Sequence, residues 1–276
     1  MYNDKRIGVV VPAYNEEKFI GTVVETMPDI VDGIFVVDDA STDATPAILA
    51  GIQDERLAVD RHLRRRGAGG AMLTGYKRAC AARMDVAVIM AGDGQMDPAI
   101  LESIIYPVVS DRADYAKGDR LSRSGDSRAM PPWRRFGNTL LTYIIKVASG
   151  YYHVNDPLNG YTAASREALE RLDLDRVEPG FAFETDLLIK MSAAGVRTVS
   201  VPMPARYGDE KSKIRYIKFI PYTSWVILRD YIWRLWIQRR QQSKAGRKGD
   251  EAYAESSGNR RWRNGREPRP NIYRTR

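Results

Sequence analysis

The sequence has little that could cross-link the chain covalently or carry it across a membrane. It contains one cysteine, Cys80, among 276 residues, which excludes an internal disulfide framework and a cysteine-rich metal site and favours a reducing compartment. At the N-terminus, MYNDKRIGVVVPAYNEE has only a short apolar run that meets Pro12 and then acids, so we expect no signal peptide. A bilayer span needs about 20 largely uncharged apolar residues, and we expect no clear transmembrane helix.

Residues 1–237 carry no net charge, and the whole excess of +8 belongs to the C-terminal tail. From Gln238 onward there are twelve Lys and Arg residues against four Asp and Glu residues. This segment has almost no aliphatic residues and no periodicity, which is typical of disorder. Its partner could be nucleic acid or anionic lipid, and solvated disorder without a fixed partner is the alternative.

Apolar runs alternate with amphipathic segments along the rest of the chain, which predicts a mainly parallel sheet covered by helices. The predicted strands are IGVVVPAY, GIFVVDD, ERLAVDRH, VAVIMAGD, DYAKGDR and VRTVSVPMP. The predicted helices are EEKFIGTVVETM, TDATPAILAGI and GAMLTGYKRACAARM, with Thr42 or Asp43 as the N-cap of the second. In such a sheet, ligands bind beyond the carboxyl ends of the strands.

Polar residues follow three of the predicted strands. The strand ends read PAYNEE at residues 12–17, DDASTD at 38–43 and GDGQ at 92–95, and the glycine-rich segment RRRGAGGAMLTG lies between the second and third. Each of these alone is ordinary turn or capping chemistry. Together, in this order, they indicate a nucleotide-binding half.

These segments carry a resemblance to a known family. VVPAYNEE, VVDDASTDAT, RGAGGAMLTGYKRA and MAGDGQMDP resemble the inverting family 2 glycosyltransferases of GT-A fold. NDPLNGYTAASREAL, GFAFETDLLIKM and ARYGDEKSKIRYIKF are similar to the polyprenyl-phosphate glycosyltransferases, which act on dolichyl phosphate among other lipids. The resemblance covers roughly residues 6–220. It implies an α/β protein with a Rossmann-like, three-layer GT-A fold, followed by C-terminal amphipathic helices and a disordered basic tail.

The resemblance implies a metal site at the turn after the fourth strand. In the family, an Asp-x-Asp motif there holds Mg²⁺ or Mn²⁺ against the donor diphosphate, and hard cations of this kind prefer oxygen ligands. Ala91 replaces the first acid in this chain. We therefore expect Asp93 to be the principal ligand and Gln95 a second or water-mediated one. Gly92 and Gly94 would let the chain bend and the diphosphate approach, while Asp97 would cap the next helix.

The other strand ends are implied to bind the nucleotide. By resemblance, Pro12, Tyr14 and Glu16 line the base and ribose, Val37 and Asp39 contact the base, and Asp38 supports the loop. Uracil and guanine both offer an N–H to an acidic acceptor, so UDP-linked and GDP-linked donors stay open. The arginines at 64–66 either neutralise phosphate or face solvent.

The acceptor side follows in the second half of the chain. Arg120 and Arg123 are implied to reach the donor diphosphate or an acceptor phosphate. Asn159-Gly160 is expected to form a turn in the acceptor cleft wall. Residues two apart do not share a helix face; the resemblance favours Asp186 as the acid nearest the reacting centre, with Glu184 supporting it. The implied phosphate clamp consists of Arg206, Ser212 and Lys213.

We expect three regions: a catalytic domain over residues 1–213, amphipathic interfacial helices over 214–240 and a disordered basic tail over 241–276. Trp225, Tyr231, Trp233 and Trp236 with flanking cations are typical of an interfacial helix; packing against the catalytic domain is the alternative.

The predicted activity is inverting, metal-assisted transfer of a mannose-type or glucose-type sugar from a nucleotide donor to polyprenyl or dolichyl phosphate. The enzyme would be a peripheral protein at the cytoplasmic face of the membrane. The alternatives are a sugar or lipid hydroxyl as acceptor, a nucleotide-sugar-binding module without turnover, and nucleic-acid binding through the tail. The last lacks a recognisable base-reading fold, so no specific nucleic acid is expected.

Overall fold

The computed structural model describes residues 1–122, 132–204 and 221–240. The chain divides into two compact units, Met1–Arg234 and Leu235–Arg276, of which the second is described over residues 235–240. The tail from residue 241 lies outside the described residues. Its disorder and the expected boundaries at 213 and 240 stay predictions.

Strands and helices alternate as the apolar pattern predicts. In chain order they are β1 (Ile7–Ala13), α1 (Ile20–Glu25), β2 (Gly33–Asp38), α2 (Thr45–Gly51), β3 (Leu57–Arg61), α3 (Gly67–Ala81), β4 (Val86–Ile89), α4 (Leu101–Val109), β5 (Tyr115–Asp119), α5 (Pro132–Ser149), β6 (Thr162–Ser165), α6 (Arg166–Glu170), α7 (Phe183–Ala193), β7 (Thr198–Pro202) and α8 (residues 221–240).

Within the described residues the strands form a seven-stranded sheet in the order β3-β2-β1-β4-β6-β5-β7. The pairings of β1 with β2 and β4, of β2 with β3 and of β5 with β7 are parallel, whereas β6 runs antiparallel to β4 and β5. The predicted mainly parallel α/β fold is therefore confirmed. The chain leaves β1 towards β2 and later returns to β4 on its other side, which creates a topological switch point at the carboxyl ends of β1 and β4.

Strand β6 was missing from the sequence prediction. It is four residues long, TAAS, and has neither an apolar run nor an alternation that would mark it. The turn before it also differs from the predicted one. Its centre is Pro157-Leu158, and the Asn159 amide closes it onto the Asp156 carbonyl at 3.3 Å. The side chain of Asn159 then accepts a hydrogen bond from the Tyr161 amide.

The core lies in two layers, one on each face of the sheet. Alternation along β1 divides its side chains, with Val9 and Val11 packing among α1 and α4 and Val10 packing against α3 and α7. This is the three-layer arrangement expected for the fold. Residues 221–234 of α8 add Ile227 to the second layer.

The start of α2 differs from the predicted cap. Ala44 occupies the N-cap and no side chain caps the helix there. Asp43 still accepts a hydrogen bond from the Thr45 amide at 3.0 Å, whereas the Thr42 amide donates to Asn15 in the neighbouring loop. Asp97 behaves as predicted, because its carboxylate accepts from the Ala99 amide at the start of a short 3₁₀ helix.

Helix α3 lies so close to the sheet that one of its glycines cannot be replaced without movement. A Cβ on Gly75 would lie 2.0 Å from a methyl group of Val10 in β1. Such overlap has to be relieved by displacing the helix or the strand. Gly75 thus lets α3 lie close to the sheet, and α3 forms one wall of the site described below.

We predict that Gly75→Ala lowers the free energy of unfolding by about 1–3 kcal/mol, the usual cost of overpacking a core. Gly137→Ala is the matched control, because Gly137 also lies within a helix but a Cβ there meets no atom within 4 Å. That control should be neutral or stabilising by up to about 1 kcal/mol. Chemical denaturation of both variants tests the prediction, and equal stabilities would contradict it.

Candidate active site

A cavity of about 220 Å³ opens at the carboxyl ends of β1 and β4, at the switch point of the sheet. The ends of three strands and the first turns of α3 form its walls. Its lining residues are Pro12, Ala13, Tyr14, Glu16, Asp39, Arg65, Ala68, Ala71, Ala91, Gly92 and Asp93. Five of the residues predicted to bind a donor, together with the predicted metal ligand Asp93, therefore border one cavity, including the two loop residues Tyr14 and Glu16.

Asp39 anchors the N-terminus of α3. Its carboxylate is buried and accepts hydrogen bonds from the Arg66 and Gly67 amides, both at 2.7 Å, and the Nδ1 atom of His62 also lies 2.7 Å away. A carboxylate is favourable at the first turn of a helix because of the unpaired amides there. Asp39 thereby fixes the cavity wall that α3 contributes, and its predicted contact with a base stays a prediction.

The arginine run at 64–66 separates into different environments. The guanidinium carbon of Arg65 lies 3.9 Å from the centre of the Tyr14 ring, and both residues line the cavity. Arg66 supplies its backbone amide to Asp39, and Arg64 is exposed. Arg65 is therefore the arginine of this run that is placed to meet a phosphate or a stacked base.

The loops after β1 and β2 are tied together by hydrogen bonds. The Asn15 amide donates to Ser41 Oγ and the Glu16 amide donates to Thr45 Oγ1, both at 2.9 Å. Asp38 is buried and accepts from the Ser41 amide, a position consistent with loop support. Val37 differs from its predicted role, because its side chain is fully buried within β2 and does not line the cavity. Every residue of β2 is buried, so an apolar side chain there packs into the core.

The turn after β4 presents Asp93 to the cavity. Gly94 has a φ of +73°, a conformation that residue types other than glycine rarely adopt. The backbone amide of Gln95 donates to the Asp93 carboxylate at 3.0 Å. Gly92 lies close against β1, since a Cβ there would be 3.2 Å from the Pro12 carbonyl oxygen. The glycines thus hold the turn against β1 with the Asp93 carboxylate at its rim.

The donor atoms present suit a weakly coordinated hard cation. Among the described residues, no group of three or more His, Cys, Asp or Glu side chains could hold a metal ion by itself. Mg²⁺ usually takes only one or two protein carboxylates and completes its shell with water and substrate phosphates. The Asp93 carboxylate and the side-chain amide oxygen of Gln95 are donor atoms of the kind that fit such a site.

Glu184 and a buried lysine form an ion pair beside this turn. Lys117 Nζ lies 2.5 Å from Glu184 Oε2, and only 1% of the lysine side chain is exposed. A Cβ on Gly160 would lie 3.3 Å from Met96 and 3.8 Å from Glu184 Oε1, which places Glu184 next to the turn that carries Asp93. The sequence prediction missed Lys117, although a lysine within the buried strand segment YAKGD was a signal of a specific partner.

Asp186 lies away from the cavity, in contrast to its predicted place nearest the reacting centre. Its side chain is fully buried and accepts hydrogen bonds from Lys190 Nζ and from the Glu178 amide, each at 2.6 Å. Arg229 of α8 approaches it at 3.5 Å. Burial, reinforced by a hydrogen bond with Asp230, raises the pKa of Asp186 to about 7. The predicted order of the two acids is therefore reversed, since Glu184 borders the turn and Asp186 faces α8.

Arg120 at the end of β5 is held by a buried carboxylate. Its guanidinium donates to Asp156 through Nε at 2.7 Å and through Nη2 at 3.1 Å. This fork holds Arg120 at the carboxyl edge of the sheet. Arg123 and the predicted clamp residues Arg206, Ser212 and Lys213 lie outside the described residues.

The switch-point cavity, the carboxylate turn after β4 and the mainly parallel sheet define a GT-A glycosyltransferase. The comparison with protein families agrees, because the model described as Glycosyl transferase family 2 matches residues 8–173. The chain belongs to this family, and the prediction of a hexosyltransferase is confirmed.

Several relatives with named activities match most of the chain. It is 34% identical over 184 residues to the UDP-N-acetylglucosamine--dolichyl-phosphate N-acetylglucosaminyltransferase of Methanococcus voltae, covering 61% of this chain and 73% of that protein. It is 32% identical over 212 residues to the polyprenol monophosphomannose synthase of Mycolicibacterium smegmatis, covering 72% of this chain and 77% of that protein.

A solved structure of similar fold is glucosyl-3-phosphoglycerate synthase from Mycobacterium tuberculosis, crystallised with Mn²⁺, UDP-glucose and phosphoglyceric acid. It superimposes with a TM-score of 0.61 at 22% identity, covering 83% of this chain and 80% of the other. At this identity the likeness supports the fold alone.

The raised pKa of Asp186 predicts a specific pH dependence of stability. An unfolded aspartate has a pKa of about 3.9, so between that pH and about 7 Asp186 binds more protons in the folded protein than in the unfolded chain. Stability from this group is therefore lost as the pH rises through that window. This loss is a fall in the free energy of unfolding of up to about 1.4 kcal/mol per pH unit. We expect Asp186→Asn to remove it, as measured by chemical denaturation between pH 5 and pH 8.

Asp114→Asn is the control for this measurement, because hydrogen bonds from Arg197 hold the pKa of Asp114 below its ordinary value. Its titration lies below pH 5, so this substitution should leave the slope between pH 5 and pH 8 unchanged. A slope of Asp186→Asn that matches the wild-type slope would contradict the prediction.

Proposed function

We propose that this enzyme transfers a sugar from a nucleotide-diphosphate donor to polyprenyl or dolichyl phosphate, with inversion at the anomeric carbon. The observation that carries the proposal is the switch-point cavity with Asp93 at its rim. The activities for which two relatives are named, a dolichyl-phosphate N-acetylglucosaminyltransferase and a polyprenol monophosphomannose synthase, support the acceptor class. The sugar is of mannose or glucose type, and the base is uracil or guanine.

The donor nucleotide would occupy the cavity with its base beside Tyr14 and its diphosphate directed towards the turn after β4. Arg65 lies over the Tyr14 ring and would lend positive charge to this side of the cavity. Pro12 and Glu16 complete the wall formed by β1 and its loop.

The residues proposed to hold a divalent cation, Mg²⁺ or Mn²⁺, are Asp93 and Gln95. When bound, such an ion supplies positive charge against the leaving diphosphate. Gly92 leaves room for the phosphates beside β1. Arg120, Arg206 and Lys213 would stabilise the developing negative charge, with Arg123 and Ser212 as further phosphate contacts.

A phosphate acceptor agrees with the placement of the two acids on α7. A hydroxyl acceptor keeps its proton at neutral pH and needs a general base, whereas a phosphate monoester with a second pKa of about 6 is mostly dianionic. Glu184 is paired with Lys117 and Asp186 is buried among cations. Neither is placed as a free base, which favours phosphate over the hydroxyl alternative.

An exposed apolar surface supports a peripheral position at the membrane, and we propose its cytoplasmic face. Helices α5 and α8 border a cavity of about 420 Å³ lined by residues such as Ile144, Val147 and Leu228. On α8, Trp225 is 62% exposed and Ile232 is 58% exposed. Helices with such a face bind in the bilayer interface.

The prediction for α8 needs one correction. Tyr231 is half-buried against the core, unlike Trp225 and Trp233, which are exposed; Trp236, in the second unit, is exposed as well. One face of residues 221–234 packs on the domain and the other is exposed, so packing against the domain leaves an apolar face available for the proposed interface. In the part of the chain that the structure describes, no helix combines the length and the apolar character that crossing a bilayer requires.

A nucleotide-sugar-binding module without turnover is the second candidate, and Ala91 in place of an acid is the observation in its favour. Incubating the protein with UDP-linked and GDP-linked sugars, a polyprenyl phosphate and Mg²⁺ or Mn²⁺ separates the two. We expect a lipid-linked sugar from at least one donor. Donor binding by calorimetry without transfer or hydrolysis would favour the module.

The metal assignment predicts opposite effects at two neighbouring positions. Asp93→Asn should abolish transfer because it removes the principal carboxylate, and Ala91→Asp should tighten Mn²⁺ binding measured by calorimetry with UDP or GDP present. Asp97→Asn is the matched control, because it changes a helix cap nearby and should retain activity. Full activity of Asp93→Asn, or activity that resists EDTA, would rule out this metal site.

The membrane assignment predicts that polar substitutions on the exposed face of α8 weaken binding to vesicles. Leu228→Ser with Ile232→Ser removes two exposed apolar side chains, and the loss of their burial should reduce partitioning about tenfold or more. Leu63→Ser is the control, since Leu63 is equally apolar and fully exposed but lies in the loop before α3. Co-sedimentation with anionic vesicles measures the effect, and equal partitioning of all three proteins would contradict it.

A further inference from the structure

Helix α8 is fastened to the domain by polar contacts on its inner face. Arg234 is buried and donates to the carbonyl oxygens of Ser149 and Val147 at the C-terminus of α5, at 2.9 and 3.2 Å. Asp230, one helical turn earlier, is also buried and pairs with the neighbouring Arg229 at 2.8 Å. The exposed apolar face described above lies on the same helix, so a surface that engages that face also acts on these contacts.

Asp186 is the point at which three elements meet. Its carboxylate receives Lys190 from its own helix, the Glu178 amide from the preceding loop and Arg229 from α8. Lys190 Nζ also donates to the Arg176 carbonyl at 2.6 Å. A buried carboxylate with these partners ties residues 176–178 to α7 and α8 because each lost contact leaves charge unpaired.

The loop that Asp186 holds reaches the wall of the donor cavity. The carbonyl oxygen of Pro179 lies against Gly69, where a Cβ would approach it to 2.5 Å. The neighbouring residues Ala68 and Ala71 line the cavity. Tyr222 of α8 adds a second link, since its hydroxyl hydrogen-bonds Glu178. A continuous set of contacts therefore runs from α8 through the loop to α3.

We propose that Asp186 is a positioning residue that transmits the position of helix α8 to the loop at residues 176–182, and through that loop to the first turn of α3. The structural link stands without the proposed function. Its effect on transfer rests on that function, in which a lipid acceptor reaches the site from the surface that α8 meets.

Hydrogen exchange of the backbone amides tests the link without any need for turnover. In the full-length protein, Asp186→Asn should speed exchange in residues 176–182 about tenfold or more, because charged hydrogen bonds typically contribute about 1.5–3 kcal/mol. Arg229→Met, made on the other side of the contact, should speed exchange in the same segment. In the double variant, exchange of residues 176–182 should speed up by less than the product of the two single-variant factors, since both substitutions act through one contact.

Two controls separate transmission from general loss of stability. Asp114→Asn removes another buried carboxylate, whose arginine partner is Arg197 and not a residue of α8, and should leave the exchange of residues 176–182 unchanged. Arg239→Met removes an exposed charge from α8 itself and should also be silent. If Asp186→Asn fails to fold, Arg229→Met alone still decides. Unchanged exchange of residues 176–182 in Arg229→Met, or an equal change in Asp114→Asn, would overturn the proposal.

Kinetics give a second readout that links the contact to transfer. With lipid acceptor in vesicles, Asp186→Asn and Arg229→Met should lower kcat by a similar factor, and neither control should do so. Altered exchange with no transfer in any protein, wild type included, would refute the proposed function and leave the link standing. Altered exchange with a wild-type kcat in both variants would show that the contact between Asp186 and Arg229 plays no role in transfer.

Discussion

The site depends on one buried carboxylate, that of Asp39. A carboxylate without partners inside a protein is costly, and Asp39 meets this cost with the amides of Arg66 and Gly67 and the ring of His62. These contacts fix where α3 begins. The start of α3 in turn forms one wall of the cavity and lies against the Pro179 carbonyl, so the cavity and the loop at Pro179 share one anchor.

Two acids on helix α7, Glu184 and Asp186, lie in different environments. Residues two apart point in different directions on a helix, and here Glu184 meets Lys117 beside the turn that carries Asp93, while Asp186 meets Lys190 and α8. The same short segment, FETD, therefore serves the cleft on one side and the joint with α8 on the other. This division explains why both acids are paired.

Helix α8 has one face that is fixed to the domain and another that is apolar and exposed. Arg234 binds the last carbonyls of α5, and Gly150 makes room for it, with a φ of +74° and no space for a Cβ, which would lie 2.3 Å from Arg234 Nη1. The two helices are thereby joined at one end, while Trp225, Leu228 and Ile232 stay exposed. A surface built in this way can meet lipid without the helix leaving the domain.

The sequence by itself determined the strand and helix pattern, the family and the segments that border the site, because periodicity reports which face is buried and strand ends report where ligands bind. It did not determine which side chains meet. Lys117 and Glu184 are 67 positions apart, β6 has no local signal, and Val37 and Asp186 looked like site residues although both are buried. Pairing across such distances follows from the packing of α7 against the sheet and of α8 against α5 and α7, and only the tertiary structure decided it.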